Sequence, residues 1–317
     1  MKLFHMNSLL NNICLFEILH DWSIISVSGT DSKQYLHNQT TVNVCDLKNN
    51  FHILCANCNP NGRVQGILRL FLHQDKYFYI QRSCIVESQI QNFKKYAIFS
   101  DVCFQNLNDY VFIGLMGCNI KKKLSFIFSE LPDSTQSMKY IKNFFILFFI
   151  DPVERFLLII KKKQLNKMIE IFLKNNFLQV SSYWLFLDLQ AGFPILENNM
   201  INNFFPNEMN LNIFHGIDFQ KGCYCGQEVI SKLYHKNINN KNMYHLIGTT
   251  SFEAINKLPM IEMYSKKQWK KVGKILCFLH IQDNIFFIQC ILKNKNIVNN
   301  FRLSTDYNSN FFITNNL

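Results

Sequence analysis

The chain has 317 residues, of which 48% are apolar and 17% charged, enough for a buried core and for two or three domains. That excludes a largely disordered chain, and with only 11 Gly and 6 Pro the collagen-like and low-complexity readings fail as well. The 33 Lys and Arg exceed the 22 Asp and Glu, giving a net charge of +11. Such a balance fits an anionic partner, and equally fits the Asn-, Lys-, Ile- and Phe-rich bias of an AT-rich genome. Nearly all of the cations are Lys, which on solvated faces is silent, so charge leaves both readings open.

Eleven Cys form no even framework, and the first residues, MKLFHMNSLLNNICLFEILHDW, break their apolar run with His5, Asn7, Asn11 and Asn12. Reduced thiols and no secretory leader point to the cytoplasm. The longest apolar run, Phe144 to Ile150, stops at Asp151-Pro152, far short of the ~20 residues of a membrane span.

In chain order, Ile24 to Val27 reads as a strand, and Gly29-Thr30-Asp31 turns into a helix through about Gln39, with Thr30 or Asp31 as its cap. Phe51 to Cys58 and Val64 to Leu72 are strands joined by Asn59-Pro60-Asn61-Gly62, a hairpin turn in which Pro fixes one dihedral and Asn-Gly reaches positive ones. Tyr77 to Gln81 is a third strand. A helix from about Glu87 to Ala97 places Ile90, Phe93 and Ala97 on one face. Strands follow at Val102 to Phe104 and Tyr110 to Leu115, then a hairpin of Phe144 to Ile150 with Arg155 to Ile160. Lys163 to Lys174 is an amphipathic helix with Leu165, Met168, Ile169 and Phe172 on its stripe. Another helix, from about Ser182, stops at Gly192-Phe193-Pro194. Beyond Met243 the pattern is short strands without a helix, as in a small barrel.

Where Gly and Pro are scarce, a cluster of them marks special backbone, and Gly192, Pro194, Pro206, Gly216, Gly222 and Gly226 share one segment. Its centre is Lys221-Gly222-Cys223-Tyr224-Cys225-Gly226-Gln227-Glu228. Two glycines bracket a thiol, which lies beside Lys221 and just before a helix from Gln227. That setting favours the thiolate, and Cys223 is the candidate nucleophile, supported by Lys221. Cys55 and Cys58 have metal-ligand spacing but lack two further ligands, so no metal is assigned. Lys121 to Lys123, Lys161 to Lys163 and the pairs Lys266-Lys267 and Lys270-Lys271 can meet RNA phosphates or be plain solvated faces, and no RNA-recognition aromatic signature accompanies them.

The octapeptide resembles the signature of the YgfZ group of folate-binding, tRNA-modification-related proteins, relatives of the glycine-cleavage T-protein. Asp21-Trp22, Lys94 to Ser100, Glu154-Arg155-Phe156 and Ala191-Gly192-Phe193-Pro194 are similar to further segments of that group, in order and at similar spacing. The likeness runs from about Ile18 to Ile247. It implies an α+β, T-protein-like three-domain ring with ferredoxin-like or mixed α+β domains and a C-terminal β-barrel. The division expected is a folate-binding body over residues 1–240, containing two interleaved subdomains, one roughly 110–178, and a barrel over 241–317.

The resemblance also implies a tetrahydrofolate cofactor held through Trp22 and Trp184, Cys223 beside it, and a functional link to iron–sulfur enzymes that modify tRNA. An indole can stack on a pterin or benzoyl ring, and an electropositive mouth, for which Lys residues and Arg155 are unassigned candidates, suits the glutamate tail. Two positions depart from the pattern. Gln190 stands where the wider superfamily has Glu before Ala-Gly, so one pterin N–H meets a donor unless Glu197, Glu208 or Asp188 substitutes. Cys225 puts a second thiol two residues from Cys223, and a Cys-x-Cys disulfide is strained. The function expected is that of a folate-binding accessory protein rather than an enzyme. The alternative is a folate-dependent aminomethyl-type transferase, for which no catalytic carboxylate can be assigned.

Overall fold

The computed structural model describes residues 13–236, 241–293 and 300–314. Among the described residues seventeen strands, numbered β1 to β17, make two sheets and a barrel. The first sheet holds β2 (Trp22–Ser28), β3 (His52–Cys58), β4 (Val64–His73), β5 (Lys76–Arg82) and β6 (Cys103–Asn106), in the antiparallel order β3-β4-β5-β2-β6. Helices α1 (Ser32–Gln39) and α2 (Val86–Tyr96) cover one of its faces, with Ile25, Val27, Tyr35, Leu36, Leu68, Leu70 and Phe93 in the layer between.

The second sheet holds β1 (Cys14–Leu19), β7 (Tyr110–Gly117), β8 (Met138–Ile141), β9 (Phe144–Phe149), β10 (Arg155–Lys161) and β11 (Phe177–Gln179). Its order is β11-β1-β7-β10-β9-β8, so β1 leaves the start of the chain to lie between two strands that follow the whole first sheet. Helices α3 (Ile120–Leu124) and α4 (Leu165–Lys174) pack on one face. The period of two sorts β10 cleanly: Phe156, Leu158 and Ile160 join the helices, while Leu157 and Ile159 join the opposite, shared core.

That shared core takes in the other faces of both sheets, helix α5 (Tyr183–Gln190) and the barrel residues Met243, Leu276, Leu279, Phe287 and Ile291. Helix α6 (Gln227–His235) leads towards the barrel. The barrel closes in the order β12-β15-β14-β13-β16-β17, from β12 (Lys241–Thr249), β13 (Met260–Ser265), β14 (Gln268–Gln282), β15 (Ile285–Lys293), β16 (Phe301–Leu303) and β17 (Asp306–Ile313). The architecture is thus mixed α+β with a C-terminal six-stranded β-barrel.

Two local expectations change. Neither Thr30 nor Asp31 caps α1 through its side chain; instead Thr30 donates its N–H and hydroxyl to Asp101, and Asp31 accepts the Asp101 N–H at 2.7 Å. This clasp ties the helix entry to the edge strand β6. Among the described residues beyond Met243 there is one short helix, α7 (Phe252–Asn256), whose cap Ser251 accepts the Ala254 N–H. Five residues are too few for a helical period to show in the sequence.

Candidate functional site

The signature segment is built against the loop that follows α1. Thr41 donates its hydroxyl to the Gly216 carbonyl at 2.5 Å, and its own carbonyl accepts the Asp218 N–H at 2.8 Å. Asp218 then accepts the N–H groups of Gln220 and Lys221, and the Cys225 N–H reaches the Asn38 carbonyl at 3.0 Å. Gly226, with φ of +83°, starts α6 with its Cα against the Asn59-Pro60-Asn61-Gly62 turn; a Cβ there would lie 2.6 Å from the Asn59 carbonyl oxygen. Two glycine-bearing turns, far apart in sequence, interlock.

Lys221 turns inward. Its ammonium donates to the carbonyls of His37, Thr40 and Val42, the last two at 2.8 Å, and lies 4.9 Å from the Tyr224 ring. Burial lowers its pKa to about 8. These carbonyls lie at and beyond the last turn of α1, where a helix leaves acceptors without intrahelical partners, so the lysine fixes the loop's backbone. Tyr224 is buried below the loop, Cys225 is half-buried with its thiol pKa raised by burial, and Gly222 and Cys223 are exposed. The segment therefore presents Gly222-Cys223 to solvent from an anchored base.

A second constellation lies where the two sheets meet α5. Glu17, on β1, is buried, and its carboxylate accepts the N–H groups of Ser182, Tyr183 and Trp184 at 2.7, 2.9 and 2.7 Å, which fixes the start of α5. Burial pushes its pKa up while the three donors pull it back. Trp184 is 2% exposed and lies on Gly114, where any Cβ would stand 2.4 Å from the indole. The guanidinium of Arg155 covers the indole at 4.4 Å and pairs with Asp188 at 2.8 Å, one helical turn along.

Trp22, half-buried at the start of β2, is 6.2 Å from Phe193. Between the two tryptophans stand Phe193, the Arg69 guanidinium (5.1 Å from Phe193 and 4.6 Å from Phe149) and Phe149, which meets Trp184 edge-on at 5.6 Å. The fold thus joins Trp22 and Trp184 through a continuous run of rings and guanidinium planes. Arg69 donates to Nδ1 of His52, whose Nε2 bonds the Phe148 carbonyl, and burial with the neighbouring cation lowers the His52 pKa to about 3. Near Trp22, Arg82 pairs with Glu197 at 2.9 Å and Asp21 at 3.4 Å.

Of the carboxylates weighed against Gln190, Glu208 is buried between Arg63 and Lys241, Glu197 serves Arg82, and Asp188 serves Arg155. Asp188 is held on the same helix as Trp184, with burial raising its pKa and Arg155, Arg69 and Arg82 opposing that rise. Among the described residues no group of three or more His, Cys, Asp or Glu is arranged to hold a metal ion, and Cys55 and Cys58 are buried in the first sheet. Glu17, Arg69, Phe149 and Phe193 went unread as site residues. The available signal was a charge inside an apolar strand, in CLFEIL and in VQGILRLFLH, since such charges are rarely buried unless paired.

Tetrahydrofolate can be tested against this cluster. The Nε atoms of both Arg155 and Arg82 are buried without a hydrogen-bond partner, one beside Trp184 and the other beside Trp22. Aromatic faces with unsatisfied donors suit a ligand of fused ring, carbonyl and carboxylates, so the residues fit.

No family model matches the chain. The two sheets and barrel define the class to which the glycine cleavage system aminomethyltransferase T belongs. The crystal structure of that protein from Bartonella henselae matches with a TM-score of 0.76 over 96% of this chain and 86% of the other, at 12% identity, which is a likeness of fold. Sequence relatives are more specific. The chain is 37% identical over 288 residues to the tRNA-modifying protein YgfZ of Buchnera aphidicola subsp. Acyrthosiphon pisum, covering 90% of each. It is 38% identical over 300 residues to that of Buchnera aphidicola subsp. Baizongia pistaciae, covering 93% of each, and 31% identical to that of Yersinia enterocolitica over 87% of this chain and 83% of the relative. The chain belongs to the YgfZ family of tRNA-modifying proteins. No helix among the described residues is long and apolar enough to cross a membrane.

Proposed function

We propose that the protein is a folate-binding accessory factor in tRNA modification, supporting iron–sulfur enzymes and presenting Cys223 as its reactive thiol. The observation that carries the reading is kinship with proteins named for tRNA modification along nine-tenths of the chain. The cluster between Trp22 and Trp184 supports folate. Trp22 is half-buried and so partly accessible to a ring, whereas Trp184 is enclosed and acts by seating Arg155. The Nε atoms of Arg155 and Arg82 lack a hydrogen-bond partner, Arg155 being enclosed with Trp184, and the half-buried Arg82 and Arg69 are the guanidinium groups that support attraction of a carboxylate tail. Bound tetrahydrofolate would supply a carrier for a one-carbon unit. The exposed thiol on an anchored loop supports a reactive role for Cys223, with Lys221 holding the loop in place.

Titrating the full chain with tetrahydrofolate and following tryptophan fluorescence tests the site. Saturable quenching is expected, weakening about tenfold in Trp22→Phe and in Arg155→Lys, which loses the planar donor set. Unchanged affinity in both variants would refute the site. For the thiol, a strain carrying Cys223→Ala should lose methylthiolated tRNA as a deletion strain does. Turnover of an aminomethyl donor by the purified protein would replace this reading with the transferase.

A further inference from the structure

A cleft of about 850 Å3 borders the residues that lead into the signature segment, and its lining includes none of the residues of the tryptophan cluster. One wall is Phe51, just before β3, and Ile53 of β3 with the loop after α1; the other is the segment His215 to Gln220 and the end of α6. Phe219 and Tyr234 stack within it, centroids 4.0 Å apart and 19° from parallel, and Tyr234 is 47% exposed. Nearly half of the Tyr234 surface is therefore left to solvent.

The lining carries two acidic side chains that are hydrogen-bonded within the protein, the exposed Asp46 accepting from Asn43 at 2.6 Å and Asp218 from the N–H groups of Gln220 and Lys221. The cationic or titratable groups, Lys48, His215 and His235, are exposed in the lining, and Lys232 adds charge in the last turn of α6. Gln220, exposed in the lining, supplies a side-chain amide that can meet the edge of a base.

An aromatic platform, an amide and exposed cations form the elements by which proteins hold single-stranded nucleic acid. The volume exceeds that of one ring and admits a nucleotide. We infer that this cleft binds an unpaired base of RNA, stacked on Tyr234, with its phosphate at Lys48 and the two histidines. The choice of RNA rests on the proposed role in tRNA modification; the cleft itself is independent of the folate site. Cys223, three residues beyond Gln220, follows directly on the wall of the cleft.

The test is fluorescence anisotropy of the full chain with a labelled single-stranded RNA octamer. Saturable binding is expected. Tyr234→Ala should weaken it about tenfold or more, while Tyr234→Phe, which keeps the ring, stays within about twofold of the parent. Lys48→Ala should weaken binding and flatten the dependence of log affinity on log salt by about one unit. Tyr234 is half-exposed, so an unchanged melting temperature certifies the fold of the variants. Absence of saturable binding, equal binding by Tyr234→Ala, equal binding of a DNA octamer, or displacement by free mononucleotide at the concentration effective for the octamer would each overturn the inference. Trp22→Phe should leave RNA binding intact, so failure of the folate site and failure of this cleft are read separately.

Discussion

The two glycines that flank Cys223 make opposite predictions. At Gly226 the backbone has φ of +83°, and an added Cβ would meet the Asn59 oxygen at 2.6 Å and the Gly62 Cα at 2.8 Å. The left-handed conformation alone costs a side chain about 1–2 kcal/mol. The contacts are to backbone, so they are relieved only by moving one turn off the other. That loosens the Gly62 N–H to Asn59 bond at 2.8 Å or the Cys225 N–H to Asn38 bond at 3.0 Å, each about 1 kcal/mol. The sum for Gly226→Ala is about 3 kcal/mol, a fall in melting temperature of roughly 5–10 °C. At Gly222 the only atom near an added Cβ is His37 Nε2 at 3.7 Å, so Gly222→Ala should stay within about 0.5 kcal/mol of the parent. Thermal unfolding measures both. Thiol labelling supplies the local readout: Cys225, half-buried in the parent, should react faster only in Gly226→Ala. Equal melting temperatures for the two variants would refute the interlocked-turn account.

Two further outcomes follow from the buried charges. Asp188→Ala leaves the Arg155 guanidinium without its 2.8 Å partner at 1% exposure and should cost about 3–5 kcal/mol, seen as a lower urea midpoint, while Arg155→Met with Asp188→Leu should recover most of the loss. The acid limb of stability reports His52 and His245, whose pKa values in the folded chain fall to about 3 and about 4 through burial. Between those values and the ordinary 6.5 the unfolded chain binds more protons, so their contribution is fully present above about pH 6.5 and is lost as pH falls below it. His52→Gln, which can still accept from Arg69 and donate to Phe148, should flatten that limb; a limb of unchanged slope would sink the assignment.

Local sequence determined much of this protein. The NPNG turn, the strands on either side of it, the helix stop at Gly192 and the start of α6 at Gln227 are legible because each depends on residues a few positions apart. The octapeptide was legible as special backbone because Gly226 must adopt a conformation that side chains resist. What the tertiary structure alone decided is long-range. Strand β1 gives no signal that it will insert between β7 and β11, since its partners lie about a hundred residues away and more. Only that insertion carries Glu17 to the start of α5, 165 positions on. Lys221 reads in sequence as a neighbour of the thiol, but its ammonium is drawn to the carbonyls that α1 leaves over, a demand set by another segment's backbone. Trp22 and Trp184 are joined through Arg69 and Phe149 because charges buried between sheets must be shared among whatever rings and carboxylates the packing brings there, and adjacency in the chain does not specify those neighbours.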